Sequence, residues 1–414
     1  MSKNQPARQS NIDALVKYFE SGIKTEGNAL GIELEHTLVH KNGDPVSYTE
    51  EFGQKWLLKE LERYFPEEMI DDDGDLIGLA RNGSTVTLEP AAQLEFSAGP
   101  FTDLQKAEDS FKRFESEVVD LISPHDVFLL SPGYHPTRRA IDLELIPKVR
   151  YDYMNKYLGS ISMFGICMMR GSAATQVAID FTSTEDCLRK LKLASACVPV
   201  FSLICDNSPI FEGEVRKHEM VRTEIWEKCD PDRCGIVDGV MSPDFTLEDY
   251  AEYILDTPAI IDVSSGSQVF SEKTFGEIYA DKTMEKADIE HALSMFFNDI
   301  RLKTYIEIRP ADAMPIEYVM AYAALIKGLF YDEASLSHME SIFEGVSEKD
   351  IAEAKSSLME NGYDGKAYGY LVSEIADELI SLASTALDDK DLKLLRPLAQ
   401  LVADRTTLAA MALE

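Results

Sequence analysis

Five glutamates stand on short apolar segments far apart in the chain: Glu33 and Glu35, Glu89 and Glu95, and Glu307. In Gly31-Ile32-Glu33-Leu34-Glu35 the acids are two residues apart, so a strand aims both at one face. Leu88-Glu89-Pro90 and Gln93-Leu94-Glu95-Phe96 place two more on either side of a turn. Tyr305-Ile306-Glu307-Ile308-Arg309 puts a tyrosine, an acid and an arginine on one face. Their apolar neighbours predict half-buried strands whose acids face a cavity. Buried carboxylates repel one another unless positive charge lies among them. Oxygen donors without a nearby histidine suit Mg²⁺ or Mn²⁺ better than Zn²⁺, and carboxylate-held magnesium usually meets a nucleotide phosphate. One Glu-x-Glu strand is more often a solvated face. Three such segments make the metal cluster the better reading.

These segments belong to a chain of 414 residues, long enough to bury a sizeable core, with 45% hydrophobic and 27% charged residues. The formal net charge of -33 argues against nucleic acid or an anionic membrane as partner. An anionic substrate such as ATP then needs a local basic pocket. Six cysteines (Cys167, Cys187, Cys197, Cys205, Cys229 and Cys234) lack Cys-x-x-Cys spacing, so core thiols are expected rather than a disulfide framework or a zinc site. Cys229 and Cys234 are the pair to watch for redox chemistry. The first 30 residues are polar and no run of 18 apolar residues occurs, so a cytoplasmic protein is expected.

Periodicity predicts the elements that position the acids. Residues 10–23 read as an amphipathic helix with a Ser10/Asp13 capping box, residues 29–40 as a strand and 52–64 as a helix. Strands at 76–79 and 85–88 flank Arg81-Asn82-Gly83-Ser84, a hairpin signal. The run Asp71-Asp72-Asp73-Gly74-Asp75 lacks the glycine and glutamate of a calcium loop and reads as a solvated turn. Helices are expected at 104–121, 151–158 and 185–204, with strands at 127–130 and 175–181. After residue 309 the chain reads as helical, with breaks near Val346, 361–365 and Asp388. The irregular alternation favours an α+β fold on an antiparallel sheet. A single catalytic domain over 1–414 is expected, mixed over 1–314 and helical over 315–414.

Neither a Gly-x-x-x-x-Gly-Lys-Ser/Thr loop nor Gly-x-Gly-x-x-Gly occurs, and His36 and His40 lie in a strand rather than as a helical zinc pair. Arg138, Arg139, Lys148, Arg150, Arg222 and Arg309 lie near apolar or aromatic residues, where arginines make carboxylate or phosphate forks. Taken singly, each is more often a surface ion-pair partner.

Across residues 31–331 the chain resembles the plant-type and proteobacterial glutamate–cysteine ligases, in the glutamine synthetase-like carboxylate–amine ligase superfamily. The matches come in order: Gly31 to Glu35; Val86-Thr87-Leu88-Glu89-Pro90 through Gln93-Leu94-Glu95; Pro147-Lys148 with Arg150-Tyr151-Asp152; Met168-Met169; Gln176-Val177; Asn207-Ser208-Pro209; Arg222 with Ile225-Trp226; Arg301-Leu302-Lys303; and Tyr305-Ile306-Glu307 with Arg309. The resemblance implies an antiparallel-sheet cradle surrounded by helices. It also implies ATP- and Mg²⁺-dependent joining of the glutamate γ-carboxylate to the cysteine amine through γ-glutamyl phosphate, as in glutathione biosynthesis. By position, Glu33, Glu35, Glu89, Glu95 and Glu307 look like metal ligands (Mg²⁺ or Mn²⁺). Arg150 and Arg222 look like the grip on glutamate, with Gln176 and Met169 beside the substrate, and Arg309 and Lys148 like catalytic cations. Partners implied are the small-molecule substrates alone, on a monomer or weak homodimer.

Two departures concern the pocket. Ala91-Ala92 stands where the family usually has Gly-Gly, and Arg170-Gly171-Ser172-Ala173-Ala174 replaces a threonine-rich stretch. These changes leave open a sister ligase with another acceptor amine, and a non-catalytic nucleotide- or amino-acid-binding relative. Intact acids in all three segments argue against the latter.

Overall fold

The computed structural model describes residues 5–71 and 74–414. Its centre is a nine-stranded sheet: β1 (Leu30–His40), β2 (Glu67–Ile70), β3 (Leu76–Arg81), β4 (Ser84–Leu88), β5 (Leu94–Phe101), β6 (Val127–Leu130), β7 (Thr175–Ile179), β8 (Ile300–Leu302) and β9 (Ile306–Ile308). The order is β8-β9-β7-β1-β5-β4-β3-β2, with β6 on the far end of β1, and every neighbouring pair is antiparallel. The alternation of apolar and polar residues decides which face is which. Ile32, Leu34, Phe96, Val177, Ile306 and Ile308 are at most 1% exposed on one face. That face packs on the helices Leu104–Ile122 and Ile316–Phe330. The acids alternate onto the other face.

Helices α1 (Gln5–Glu20), α2 (Gln54–Leu61), α3 (Leu104–Ile122) and α4 (Val149–Ile161) fall where periodicity places them. In α3 the buried stripe is Leu104, Ala107, Phe111, Phe114, Val118 and Ile122. The Ser10 capping box does not form: α1 is already helical at Gln5, and Asp13 instead accepts from the Gln9 amide 2.9 Å away. The β3–β4 hairpin turns at Asn82 and Gly83, both at positive φ (50° and 84°), as a two-residue primed turn requires. In the acidic loop Asp71 accepts from the Asp75 amide, closing a turn, while Asp72 and Asp73 lie outside the described residues.

The C-terminal region is helical, as expected, with two more breaks than the pattern shows. One falls after Phe330, where Asp332 caps the helix Glu333–Ile342 by accepting from Ser335 N, and the other after Asp404, where Thr407 caps the short helix Leu408–Met411. Short strands Lys366–Ala367 and Tyr370–Leu371 fill the break after Gly365. All six cysteines are buried and unbridged. No helix among the described residues is long and apolar enough to cross a membrane.

Candidate active site

Strand register puts the acids in a row. Glu35 pairs across β1–β5 with Glu95, and Glu33 pairs with Gln176 on β7 and Ser97 on β5. Thr87 on β4 lies opposite Glu95, and Glu89 follows two residues later on the same side. On the other flank Glu307 faces Ala178 and Arg301. A cavity of about 530 Å³ opens over this row, lined by Glu33, Glu35, Glu89 and Glu95, by Lys148, Arg150, Arg222, Arg301, Lys303 and Arg309, and by Gln176, Met168 and Met169. The face continues past Glu33 into a second cavity of about 400 Å³, with Gly31, Ala178 and Gly99 among its lining and Lys24, Asp180 and Tyr305 around them.

The electrostatics divide the acids into two kinds. Burial, then repulsion from Glu95 and Glu307, pushes Glu33 up to about 8. Burial and the Glu89 charge push Glu95 up to about 7, although Thr87 and Ser97 hydroxyls donate to it at 2.9 and 3.0 Å. Burial, then Glu89, raises Glu35 well above the carboxylate range, and burial raises Glu89. Glu35 also accepts from Ala174 N at 3.0 Å, which pins it. Glu307 is the opposite case. Burial would raise it, but Arg301, Lys303 and Arg309 outweigh burial and hold it far below the usual range. Arg301 Nε donates to it at 2.7 Å, Arg309 at 2.9 Å and Lys303 at 3.1 Å.

Four crowded, desolvated carboxylates whose proton affinity stays raised despite the cations around them are a hard-oxygen donor set, which fits a divalent cation such as Mg²⁺. Among the described residues no three His, Cys, Asp or Glu side chains already converge into a cage. Glu33, Glu35, Glu89 and Glu95 are the residues that would hold the ion. Glu307 lies in the same row with its oxygens taken by three cations.

A pH prediction follows. An acid whose pKa is higher in the folded than in the unfolded protein holds a proton that unfolding releases. Metal-free stability should therefore fall as pH rises from about 5 through 8. Added Mg²⁺ displaces those protons, so its gain in melting temperature should grow over the same window. Thermal melts at pH 5.5 and 8.5, with Mg²⁺ and with EDTA, check both signs; a magnesium shift larger at the lower pH refutes them.

The loop between β4 and β5 aims Glu89. Its backbone closes by Glu89 N to Gln93 O and Ala92 N to Glu89 O, both 2.9 Å. Ala92 sits at φ 66°, a left-handed conformation that disfavours a Cβ. Ala92→Gly should therefore raise unfolding stability by about 1 kcal/mol. Denaturant titration measures it, and a loss of stability would show that the alanine methyl's packing outweighs backbone strain.

The sequence candidates separate clearly. Arg150 donates to Ser294 Oγ (2.9 Å) and Ser294 O (2.7 Å) at the cavity wall. Arg222, on the helix Val221–Glu227, is buried against the Ala311 carbonyl at 3.0 Å and Asp312 at 3.5 Å, and its Nε has no partner. Arg309 also donates to Gln176 Oε1 and lies over the Trp226 ring. Met168 and Met169 come from a single π-turn, Cys167–Gly171. Arg138 and Arg139 are not in the site: they pair at the surface with Asp44 and Asp142. Cys229 and Cys234 do not line the cavity.

Arg301, Lys303, Tyr151, Met154, Trp226 and Ser294 line it without a role foreseen for them. Arg301, Lys303, Tyr151 and Trp226 stand within the matched motifs, whereas Met154 and Ser294 lie outside them.

The family model described as "Glutamate-cysteine ligase family 2 (GCS2)" matches residues 29–365. The chain is 27% identical over 395 residues to the chloroplastic glutamate–cysteine ligase of Brassica juncea, covering 92% of this chain and 75% of that one. It is 27% identical over 389 residues to that of Arabidopsis thaliana, covering 92% and 74%. Among solved structures, glutamate–cysteine ligase from Francisella tularensis, in complex with AMP, superposes with a TM-score of 0.58 at 12% identity, covering 94% of this chain and 85% of that one. That likeness carries the fold. With more than half of its length matched, and with the acid row and basic rim on one sheet face, the chain belongs to glutamate–cysteine ligase family 2.

Proposed function

We propose that this protein is an ATP- and Mg²⁺-dependent ligase that joins the γ-carboxylate of glutamate to the amine of cysteine. The observation that carries the reading is the juxtaposition of four cation-hungry acids and six cationic side chains around one cavity. Phosphoryl transfer between two anions needs charge neutralisation and alignment rather than a protein nucleophile. Mg²⁺, when held by Glu33, Glu35, Glu89 and Glu95, would supply the neutralisation.

The chain's own residues do the rest. Arg222, with an unpaired buried Nε, and Arg150, which lines the same cavity, bind the glutamate carboxylate. Arg301, Lys303 and Arg309 line the cavity on the flank next to the second cavity, whose small-residue floor and Tyr305 suit a nucleoside. In this reading they meet the γ-phosphate. A glutamate γ-oxygen displaces ADP from the γ-phosphorus; the amine nitrogen then displaces phosphate from the acyl carbon and loses one proton. With this chemistry the product leads toward glutathione in the cytoplasm.

The test is phosphate release with ATP and glutamate against a panel of amines, with the product identified by mass. Cysteine should give the highest kcat/KM. 2-Aminobutyrate should be accepted with modest loss, since an apolar pocket discriminates weakly, by roughly 1–3 kcal/mol per methylene. Ready phosphate release with another amine and none with cysteine would move the protein to a sister ligase.

A further inference from the structure

Trp226 is a partition between two cavities. One side lines the acid-floored cavity, and the other lines a separate cavity of about 240 Å³ shared with Glu227, Gly235 and Lys355. Lys355 is 2% exposed, on the helix Glu348–Asn361 of the C-terminal region, and does not line the active cavity. Its ammonium donates to two carboxylates at once, Glu227 Oε1 and Asp299 Oδ2, each at 2.5 Å.

The two carboxylates belong to different walls of the site. Glu227 is the last residue of the helix Val221–Glu227, which carries Arg222 and Trp226 one helical turn apart. So short a helix leaves most of its backbone groups without intrahelical partners, and contacts from outside decide where it lies. A cation at its C-terminal end is also favoured by the helix dipole. Asp299 lies between the strand Phe297–Asn298 and β8, which carries Arg301. Its carbonyl accepts from Arg309 N at 3.0 Å, and its N–H donates to Gly235 O at 3.0 Å. β8 is three residues long and forms the edge of the sheet, so it too depends on such ties. The walls meet at Trp226: the Arg309 guanidinium and the Phe297 ring each stand 5.9 Å from the centre of its ring.

Transfer of phosphate to glutamate needs the wall that holds glutamate and the wall that meets phosphate at a fixed separation. A misplacement of about 1 Å imposed from far away can cost roughly a hundredfold in rate. We propose that Lys355 is a positioning residue for ligation: buried outside the cavity, it clamps the Arg222–Trp226 helix to the segment that carries Arg301 and holds Arg309. This rests on the ligase reading above and brings the C-terminal helices into it.

The experiment uses the full chain carrying Trp56→Phe as parent, which leaves Trp226 as the sole tryptophan. Trp56 packs on Phe52 and His125 and does not line the cavity. Variants are assayed well below their melting temperatures. Lys355→Met should lower kcat for phosphate release by about 30-fold, with KM for glutamate and ATP each within about threefold of the parent. Glu227→Gln leaves the Lys355–Asp299 pair in place at a side chain 32% exposed, so it carries the test where Lys355→Met does not fold; it should lose about tenfold in kcat. Added to Lys355→Met it should cost little more, because both cut the same tie. Lys355→Arg keeps the charge and should retain most of kcat. Acrylamide quenching of Trp226 should rise in Lys355→Met and in Glu227→Gln, but not in Lys355→Arg. A lowered melting temperature with parental kcat and parental quenching overturns the assignment, as do additive losses in the double variant. A parent that releases no phosphate overturns the ligase reading instead, and the quenching comparison then decides the clamp by itself.

Discussion

Glu33→Gln should lower turnover by about a hundredfold or more, as loss of a transition-state charge contact does, and yet leave the metal-free protein more stable at pH 8. The two effects share one cause. Glu33 is desolvated and crowded by Glu95 and Glu307, and Lys303 and Arg301 offset only part of that cost, so the neutral amide removes a penalty that a bound cation would otherwise offset. Glu307→Gln makes the contrast. Glu307 is 1% exposed and is the common partner of Arg301, Lys303 and Arg309. Its loss strands buried positive charge and should destabilise the fold by about 3 kcal/mol or more. Steady-state phosphate release and EDTA-treated thermal melts on both variants give the comparison. If Glu33→Gln turns over ATP at near wild-type rate, the acid row is not the metal site. If the two variants melt alike, the division of the acids into two kinds is wrong.

That division could not be read from the sequence, although the acids themselves could. Period-two alternation fixed the face of Glu33, Glu35 and Glu307, and the hairpin signal at Asn82-Gly83 fixed the strands that bring Glu89 and Glu95 alongside. Which acids keep their charge depends on partners from other strands. Arg301 lies on a strand of three residues and reaches Glu307 only because β8 and β9 pair. The basic residues show the same limit from the other side. By residue chemistry alone Lys148, Arg150, Arg222 and Arg309 look no different from Arg138 and Arg139; only the family resemblance separates them in sequence, and burial by distant segments sends the first four to the cavity. The false capping box at Ser10 has a local cause: the motif was present, but helix propensity carried α1 through it. Met154, Ser294 and Trp226 reach the site from helices and loops whose docking no local pattern records.

Arg222→Lys should raise KM for glutamate by roughly tenfold to a hundredfold, equivalent to about 2–3 kcal/mol for a charge-assisted contact, with a much smaller change for ATP. The charge is conserved, so the loss measures geometry. Three Arg222 contacts reach the strand-end segment after β9: the Pro310 carbonyl at 3.2 Å, the Ala311 carbonyl at 3.0 Å and Asp312 at 3.5 Å. All three use one terminal nitrogen, Nη1, leaving other donors of the planar fork for a ligand, including the unpaired Nε. A lysine has one nitrogen and cannot hold that wall and a substrate carboxylate in the same geometry. Asp312 is itself fixed by Ser208 Oγ at 2.6 Å and Asn207 N at 2.8 Å, so the guanidinium docks against a rigid surface. Equal rises in KM for glutamate and ATP would assign Arg222 to the nucleotide or to the fold. A rise for glutamate alone, with thermal stability kept, ties the buried fork to the carboxylate it is built to receive.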